Sequence, residues 1–398
     1  MKIIAWYLPQ FHEIPENNDW WGEGFTEWTN VKKGKVYHKG QIQPRVPLNN
    51  NYYNLLDDDV KKWQVDLAKQ YGVYGFAMYH YWFDGKLLLE KPVEQYLANK
   101  DLDLPFCICW ANEHWTNRWV ANKESILIEQ RYGDRKQWKA HFDYLLPFFK
   151  DERYITVDDK PLMIIYRPEL FDCLNEMMDY WQELAIENGL AGLSLAYQGE
   201  KWDLVSENKK DDSRFDYNIE FQPIKAFNID RHSRHSFLSK IQSALPDRIL
   251  KSSFFYSLKE IFARTDEKNG IRYDFDELWE NVLKTQPRNE KSIPGAFVGW
   301  DNSPRKNENG IYVVNATPEK FKKYLIQQIF HAKESYHKDM IFMYAWNEWA
   351  EGGYLEPDEH FKYGMLEAIR DALLETNEWP DYNQTRRTAN VKKDKEIE

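Results

Sequence analysis

The chain has 398 residues, of which 42% are hydrophobic and 29% charged. This composition is ordinary for a globular protein that can bury a large core. The formal net charge is −11 and the pI is about 5.5. These values argue against nucleic acid and anionic membrane surfaces as partners, because both attract basic proteins.

Aromatic residues make up 16% of the chain and include 17 Trp. Core packing accounts for part of this excess, and an aromatic cleft that stacks on the apolar faces of sugar rings would account for the rest. The three cysteines, Cys107, Cys109 and Cys173, do not form a disulfide framework, and Cys107 and Cys109 are predicted to be buried free thiols. We expect no metal and no cofactor, since no ligand pairs follow at zinc spacing.

The chain enters an apolar strand within its first residues, so we recognise no signal peptide. No run approaches the roughly 20 apolar residues of a membrane span. We therefore expect a cytoplasmic protein, or a secreted or periplasmic one if a leader has been removed.

Eight short, near-continuous apolar runs recur along the chain, a pattern typical of parallel strands buried on both faces. They cover residues 3–8, 75–80, 105–110, 162–166, 193–197, 217–221, 296–300 and 340–346. Amphipathic stretches at 57–71, 134–149, 173–188, 317–338 and 359–375 are predicted to be helices. This alternation predicts an α/β fold, a single-domain (β/α)₈ TIM barrel, with a doubly wound open sheet as the alternative.

Two long segments interrupt the alternation, and each follows a predicted strand. The first runs from residue 10 to about 54, after strand one. The second runs from about 223 to 292, after strand six, and contains helical patterns at 236–244 and 274–283. Such loops build the active face of a barrel, and we expect the second insertion to determine specificity. The barrel is predicted to span residues 1–380, followed by a polar tail at 381–398.

Most predicted strands end in polar and aromatic residues rather than in the branched apolar residues that fill a barrel interior. Because catalytic groups gather at the C-terminal ends of barrel strands, we predict a substrate site there. The predicted substrate-binding residues are Tyr7, Gln10, Trp21, Glu27, Trp28, His80, Tyr81, Trp82, Trp110, Asn112, Glu113, Tyr166, Gln222, Trp300, Asn347, Trp349 and Glu356.

Several of these residues have a second interpretation. His80 could be a general base, a donor to a sugar hydroxyl or a hydrogen-bonded core histidine. Glu27 could contact a ligand or form a salt bridge, and the tryptophans could stack on sugars or only fill the core. Glu113 and His114 suggest a metal, but further ligands at suitable spacing do not follow.

The strongest single feature is the sequence Asn-Glu-Trp-Ala-Glu-Gly at 347–352, directly after the predicted eighth strand. Glu348 and Glu351 are three residues apart and can share one face of a turn, with Cβ atoms about 5–6 Å apart. Cleavage of a glycosidic bond needs one protonated and one ionised carboxyl group, and close carboxylates acquire different pKa values. We predict that Glu348 and Glu351 are catalytic and that their short separation favours retention, although this spacing alone is common on solvated helices.

Several long motifs resemble a known family. The sequence Trp-Tyr-Leu-Pro-Gln-Phe-His at 6–12 leads to Trp-Trp-Gly-Glu-Gly-Phe-Thr-Glu-Trp-Thr-Asn-Val at 20–31, and further matches lie at 79–82, 110–113, 346–352 and 354–357. These segments resemble the WbsX-type proteins, which are named glycosyltransferases of surface-polysaccharide synthesis. Those proteins in turn resemble glycoside hydrolase family 99, the endo-acting α-mannosidases and α-mannanases. The resemblance spans roughly residues 3–370.

The resemblance implies a (β/α)₈ barrel and a retaining mechanism through a 1,2-anhydro sugar. In that mechanism Glu348 acts as base on the sugar 2-hydroxyl, and Glu351 acts first as acid and then as base. The chemistry suits α-manno and α-rhamno sugars, whose axial 2-hydroxyl lies anti to the leaving group. This chain has Ala350 where the family's hydrolases have His, which leaves the substrate open.

Three functions are open at this point, each with an oligo- or polysaccharide as partner. The first is a retaining hydrolase of α-manno- or α-rhamno-configured glycans. The second is a glycosyltransferase that builds a bacterial surface polysaccharide, and the third is a non-catalytic glycan-binding module. The paired carboxylates favour the first, as does the lack of a Gly-rich phosphate loop in the sequence. The missing signal peptide suits the second.

Overall fold

A computed structural model describes residues 1–116, 126–199, 212–230 and 270–382. Within these ranges, nine parallel strand segments form a nearly closed barrel. The segments are β1 (Lys2–Tyr7), β2 (Val73–Phe83), β3 (Phe106–Trp110), β4 (Lys160–Ile165), β5 (Ser194–Gly199), β6 (Tyr217–Glu220), β7 (Ser292–Ile293), β8 (Gly295–Phe297) and β9 (Met340–Tyr344).

Strands β1 to β6 neighbour one another in chain order, and β9 pairs with β1 on the other side. Segment β7 pairs with β6, and β8 pairs with β9. Only Pro294 separates β7 from β8, so the two together occupy the seventh barrel position. The single-domain (β/α)₈ prediction is confirmed, and the open-sheet alternative is wrong.

The predicted strands agree with the observed ones, except at the seventh position. Residues 296–300 were expected there, whereas pairing begins at Ser292 and ends at Phe297. Pro294 has no backbone N–H and breaks the pairing in the middle. After Phe297 the N–H of Val298 still donates to the carbonyl of Tyr344, and Trp300, two residues further on, is buried outside the strand.

The described helices are α1 (Pro15–Trp21), α2 (Glu27–Lys32), α3 (Asp58–Gln70), α4 (Lys91–Ala98), α5 (Arg135–Phe149), α6 (Leu174–Glu187), α7 (Phe275–Lys284), α8 (Ser303–Lys306), α9 (Pro318–Glu334) and α10 (Gly364–Glu375). Asp57, Asp134 and Thr317 cap the N-termini of α3, α5 and α9 with their side chains. Side-chain oxygens there accept the otherwise unpaired first-turn N–H groups, which is why these helices begin where the sequence predicted.

Helix α10 begins five residues later than predicted, because Asp358 makes a turn first. Its carboxylate and its carbonyl accept the backbone N–H groups of Phe361 and Lys362. Residues 224–230 are also helical. No helix within the described ranges is long and apolar enough to cross a bilayer.

Short strands decorate the barrel. Four hairpin-like pairs join Lys86–Leu88 to β2, Thr156–Val157 to β4, Trp115–Thr116 to Ile126–Ile128, and Asn347–Glu348 to Gly353–Tyr354. A parallel pair joins Ile271–Asp274 to Ile311–Val314, which fastens the described end of the second insertion to the loop after β8. Single-turn 3₁₀ helices lie at Leu48–Asn50, Pro168–Leu170, Asn307–Asn309 and Trp349–Glu351.

The core has two layers, one inside the barrel and one between strands and helices. Trp6 and Tyr79 stack inside the barrel with ring centroids 5.6 Å apart. Cys107 and Cys109 are buried free thiols, as predicted. The predicted helix at 274–283 is present as α7, while the one at 236–244 and residues 383–398 of the predicted tail lie outside the described residues. The proposed division at residue 380 stays a prediction.

Candidate active site

Three loops at the C-terminal mouth of the barrel bring three carboxylates to one guanidinium. Glu27 begins α2 after β1, while Glu348 and Glu351 follow β9. Arg305 lies on α8, after β8. Its Nη1 is 2.8 Å from Glu351 Oε1, and its Nη2 is 3.1 Å from Glu348 Oε1 and 2.5 Å from Glu27 Oε1. We call these four side chains the acidic cluster.

The backbone after β9 explains why both predicted catalytic glutamates reach this cluster. The strand Asn347–Glu348 pairs antiparallel with Gly353–Tyr354, and a 3₁₀ turn at Trp349–Glu351 connects the two. Gly352 ends the turn with φ 65°, and a Cβ there would lie 2.9 Å from the backbone N of Asp301. Glu348 and Glu351 therefore flank one tight turn whose geometry requires glycine.

Helix α8 is tied to the same turn. The N–H of Asp301 donates to the carbonyl of Glu351 at 2.6 Å. The Asp301 carboxylate accepts the N–H of Ser303 at 3.0 Å, and the Arg305 N–H donates to the carbonyl of Asn302 at 3.0 Å. These bonds fix the backbone that carries Arg305 relative to the glutamates.

Burial governs the charges in the acidic cluster. It raises the pKa of Glu348 well above its usual range, and repulsion by Glu351 and Glu27 adds to this effect while Arg305 opposes it. Burial alone would lower the pKa of the Arg305 guanidinium, but the three carboxylates raise it. Glu351 accepts a 2.7 Å hydrogen bond from the Tyr344 hydroxyl besides its bond from Arg305.

Three aromatic side chains, Tyr81, Trp115 and Trp20, lie beside the acidic cluster. Gln10 Nε2 donates to the Tyr81 hydroxyl at 2.6 Å, and the Tyr81 ring meets the edge of Trp115 at 5.1 Å. Trp20 packs against Trp115 in turn. Burial raises the pKa of Tyr81, and the nearby carboxylates of Glu348 and Glu27 raise it further. Gln10 and Tyr81, both predicted to bind substrate, therefore lie next to the acidic cluster.

Tyr166, Trp21 and Trp300 occupy other parts of the mouth. Tyr166 is half-buried and meets Tyr79 edge-on at 6.1 Å. Trp300 packs against the ring of Tyr344, whose hydroxyl donates to Glu351, with ring centroids 5.2 Å apart. Trp21 is half-buried at the end of α1 and packs on Phe25 at 6.0 Å, and no described contact joins it to the cluster.

A buried layer supports the turn that carries the glutamates. Glu356 accepts hydrogen bonds from Trp349 Nε1 at 2.7 Å, from Gln64 Nε2 at 2.7 Å and from the Tyr53 hydroxyl at 2.8 Å. Gln64 Oε1 accepts a bond from Tyr7. Burial raises the pKa of Glu356 to about 7 although these donors oppose it. With its oxygens held in this way, Glu356 orients Trp349.

Two further predicted residues belong to the supporting layer. Asn347 exchanges two hydrogen bonds with the backbone of Leu8, at 2.8 and 3.0 Å, and so joins the end of β1 to the turn that carries Glu348 and Glu351. Trp28 is buried, donates its Nε1–H to the carbonyl of Tyr53, and packs on Trp349. Tyr7, Trp28, Asn347, Trp349 and Glu356 are thus buried, and their hydrogen bonds and ring contacts support the turn that carries Glu348 and Glu351.

Three predicted residues point to the helical layer instead. His80 Nε2 lies 2.8 Å from Nε2 of His141 on α5, and Trp82 stacks on His141 at 4.5 Å. Trp110 packs between His141 and Trp181 of α6. Alternate residues of a strand face opposite sides, so Tyr79 and Tyr81 face inward and their neighbours outward. Burial lowers the pKa of His80 to about 3, so it is a neutral core histidine.

The remaining predicted residues hold loops in place. Asn112 is buried and exchanges two hydrogen bonds with the backbone of Arg167, at 2.7 and 2.8 Å. Glu113 lies 3.4 Å from the Arg167 guanidinium. Gln222 is buried and accepts the N–H of Ala226. None of these contacts places them in the acidic cluster.

Sequence reasoning missed Arg305 and Tyr344. Asn302-Ser303-Pro304 before Arg305 is a helix-start signal, and it could have indicated a short helix at the end of the seventh strand. Tyr344 was placed inside a predicted strand, two residues from inward-facing Phe342, and alternation would have put it on the same side.

The fold and the acidic cluster define the class of this protein: a (β/α)₈ barrel with its candidate site at the C-terminal mouth. The family profile described as "Glycosyltransferase WbsX" matches residues 3–369. The chain belongs to the WbsX family.

Curated relatives are similar over almost the whole chain. The chain is 35% identical, in an alignment of 379 residues that covers 93% of it, to proteins described as "Uncharacterized protein WxcX" from two strains of Xanthomonas campestris pv. campestris, B100 and ATCC 33913. The chain spans about half the length of these relatives, 49%.

Solved structures share the fold. Two structures of the GH99 endo-α-mannosidase from Bacteroides thetaiotaomicron, one in complex with bis-tris propane, align with TM-scores of 0.53 and 0.51 at 12% identity. Each alignment covers 97% of this chain and 98% of the other. A "Glycoside hydrolase-like protein" aligns with a TM-score of 0.53 at 11% identity, covering 96% and 94%. The predicted membership of the WbsX family is confirmed, and the chain shares its fold with the GH99 endo-α-mannosidase structures.

Proposed function

We propose that this protein is a retaining glycoside hydrolase of α-manno- or α-rhamno-configured glycans, with Glu348 and Glu351 as its catalytic pair. One observation carries the proposal: both carboxylates contact the same guanidinium at the mouth of the barrel, at 3.1 and 2.8 Å. They are therefore close together, yet their hydrogen bonds differ. Such a pair holds protons unequally, as acid–base cleavage of a glycosidic bond requires.

The proposed reaction has two steps. In the first, Glu348 takes the proton of the sugar 2-hydroxyl, whose oxygen attacks C1 and forms the 1,2-anhydro ring. Glu351 gives its proton to the departing glycosidic oxygen. In the second step Glu351 takes a proton from water, the water oxygen attacks C1, and Glu348 returns its proton to the 2-oxygen. Both glutamates regain their starting states, and two displacements at C1 retain its configuration.

The starting protonation requires a shift within the pair. Burial and the repulsion by Glu351 and Glu27 raise the pKa of Glu348 and so favour its protonated form, whereas the first step needs Glu348 ionised. We propose that the substrate brings about this ionisation, because a 2-hydroxyl that donates to Glu348 stabilises its ionised form. Because the two carboxyl groups contact the same guanidinium, a proton that Glu348 gives up can pass to Glu351 without changing the total charge of the pair.

The charge of the mouth supports hydrolysis over transfer from a nucleotide sugar. Among the described residues, three carboxylates face one guanidinium in the cluster. A nucleoside diphosphate would meet surplus negative charge there. An Asp-x-Asp sequence that could serve a nucleotide-sugar transferase occurs at Asp101-Leu102-Asp103. It precedes β3 and so lies at the opposite end of the barrel from the cluster, where Asp103 pairs with Lys69. The name of the family supports the alternative, transfer of a sugar to a growing bacterial surface polysaccharide.

The test is a hydrolysis screen against α-mannan and α-rhamnan oligosaccharides, with Glu348→Gln and Glu351→Gln beside the wild type. Glu359→Gln is the matched control, an exposed glutamate in the same loop. We expect release by the wild type and the control, and its loss in both catalytic variants. On an aryl glycoside, whose leaving group needs no proton, Glu351→Gln should recover activity in the first step while Glu348→Gln should not.

Two results would count against the proposal. One is release of product by both catalytic variants at the wild-type rate. The other is a wild type that cleaves no glycan but consumes a nucleotide sugar when an acceptor is added, which would establish the transferase.

A further inference from the structure

Arg305 is the only described cation that contacts all three carboxylates of the acidic cluster. Its Nη1 and Nη2 each reach one catalytic glutamate, and Nε and Nη2 both reach Glu27 Oε1, at 3.1 and 2.5 Å. The guanidinium is planar and its donors have a fixed fork geometry. A lysine ammonium, with three donors on one nitrogen, could not reproduce the four contacts that Nε, Nη1 and Nη2 make here.

Glu27 and the α8 backbone restrain the guanidinium from two sides. Glu27 is buried at the start of α2, and Asn30 Nδ2 donates to the same oxygen that Arg305 contacts, at 3.2 Å. Asn302 exchanges hydrogen bonds with the backbone of Ile311, at 2.8 and 3.1 Å, just before α8. Side-chain exposure is only 14% for Arg305 and 7% for Glu27, so both groups are nearly withdrawn from water.

We propose that Arg305 is the positioning residue of this site, with Glu27 as its anchor. From the loop after β8, the guanidinium reaches the loop after β9 and aligns Glu348 with Glu351 there. Its positive charge reduces the repulsion between the two carboxylates. This inference rests on the proposed function. Arg305 acts through the glutamates and takes no part in bond making.

The two members of this ion pair should shift the pH profile in opposite directions. The Arg305 charge lowers the pKa of Glu348, so its removal should raise that pKa. The Glu27 charge raises the pKa of Glu348, so its removal should lower it. Tyr344, Tyr79 and Tyr81 also face the pair and stay uncharged, because burial raises the pKa of each.

The experiment is the pH profile of kcat/KM for Arg305→Gln, Arg305→Lys and Glu27→Gln. The acidic limb of this pH profile reports the pKa of the catalytic base in the free enzyme. We expect Arg305→Gln to move this limb up by about 1–3 pH units and Glu27→Gln to move it down. Arg305→Lys should keep the limb near its wild-type position but lose at least tenfold in kcat. Lys306→Gln, which removes a charge from the next residue of α8, should match the wild type.

A role confined to folding would lower activity equally at every pH and leave the limb in place, and that result would overturn the inference. Glu27→Gln and Arg305→Lys still decide the question if Arg305→Gln does not fold.

A second readout needs no substrate. The carboxyl ¹³C shift of Glu348, assigned through Glu348→Gln, should titrate higher in Arg305→Gln and lower in Glu27→Gln. If the titration of Glu348 shifts in opposite directions in the two variants but no glycan is hydrolysed, the proposed function is wrong and the role of Arg305 stands. If glycan is hydrolysed but the titration of Glu348 does not shift in either variant, the proposed function stands and the role of Arg305 is wrong.

Discussion

Replacement of Glu356 by Gln should make the protein less sensitive to alkaline pH. Glu356 is fully buried and burial raises its pKa from 4.5 to about 7. A group whose pKa is higher in the folded state stabilises the fold below its unfolded pKa and loses that contribution as pH rises through the folded value. The shift corresponds to about 3 kcal/mol in total, of which about 2.5 kcal/mol falls between pH 5 and pH 8.5.

The amide should fit the same hydrogen bonds. Trp349 and Tyr53 both donate to Glu356 Oε2, which the amide oxygen can replace, and Gln64 donates to Oε1. A flip of the Gln64 amide would then present its oxygen to the new N–H₂ and its nitrogen to the Tyr7 hydroxyl. Glu356→Leu lacks these acceptors and should lose stability at every pH, by about 1–3 kcal/mol for each donor left unpaired.

The assay is urea unfolding of wild type and both variants at intervals from pH 5 to pH 8.5. The free energy of unfolding of Glu356→Gln minus that of wild type should rise by about 2.5 kcal/mol across this range. Glu367→Gln, an exposed position on α10, controls for a general effect of removing a carboxylate. A flat difference between Glu356→Gln and wild type would refute the reasoning.

Two further substitutions separate the cluster from the helical layer. Tyr344→Phe removes a hydrogen bond to Glu351 and should lower kcat/KM by about 10- to 100-fold, because a bond to a charged group contributes about 1.5–3 kcal/mol; unchanged kinetics would show that Tyr344 does not act on Glu351. His80→Leu leaves His141 without its described partner, so thermal or urea unfolding should show a loss of about 1–3 kcal/mol with KM unchanged. A changed KM at full stability would instead place His80 at the substrate.

The barrel could be predicted because its signal is local. Apolar runs of the right length, and caps such as Asp57 and Thr317, lie within a few residues of the elements they define. The turn at 348–352 could also be predicted from local sequence, since Glu348, Glu351 and Gly352 are neighbours in the chain. The predicted pair of glutamates did come together at the mouth of the barrel.

The direction of side chains could not be predicted in the same way. β2 is apolar on both faces, so its composition does not show whether Tyr81 or His80 faces inward. The two positions were treated alike, and only the contact with His141 separates them. Arg305 was missed because its partners come from loops 43 to 278 residues away along the chain. A contact among three loops has no short sequence pattern from which it could be predicted.

Retaining hydrolysis by Glu348 and Glu351 is tested most directly by the anomeric configuration of the first product. ¹H NMR during cleavage of an α-linked manno- or rhamno-oligosaccharide would resolve the new anomer before mutarotation. We predict that the α anomer appears first, and that Glu348→Gln and Glu351→Gln form neither anomer from this substrate. First appearance of the β anomer would contradict the account, as would α product formed equally well by both variants.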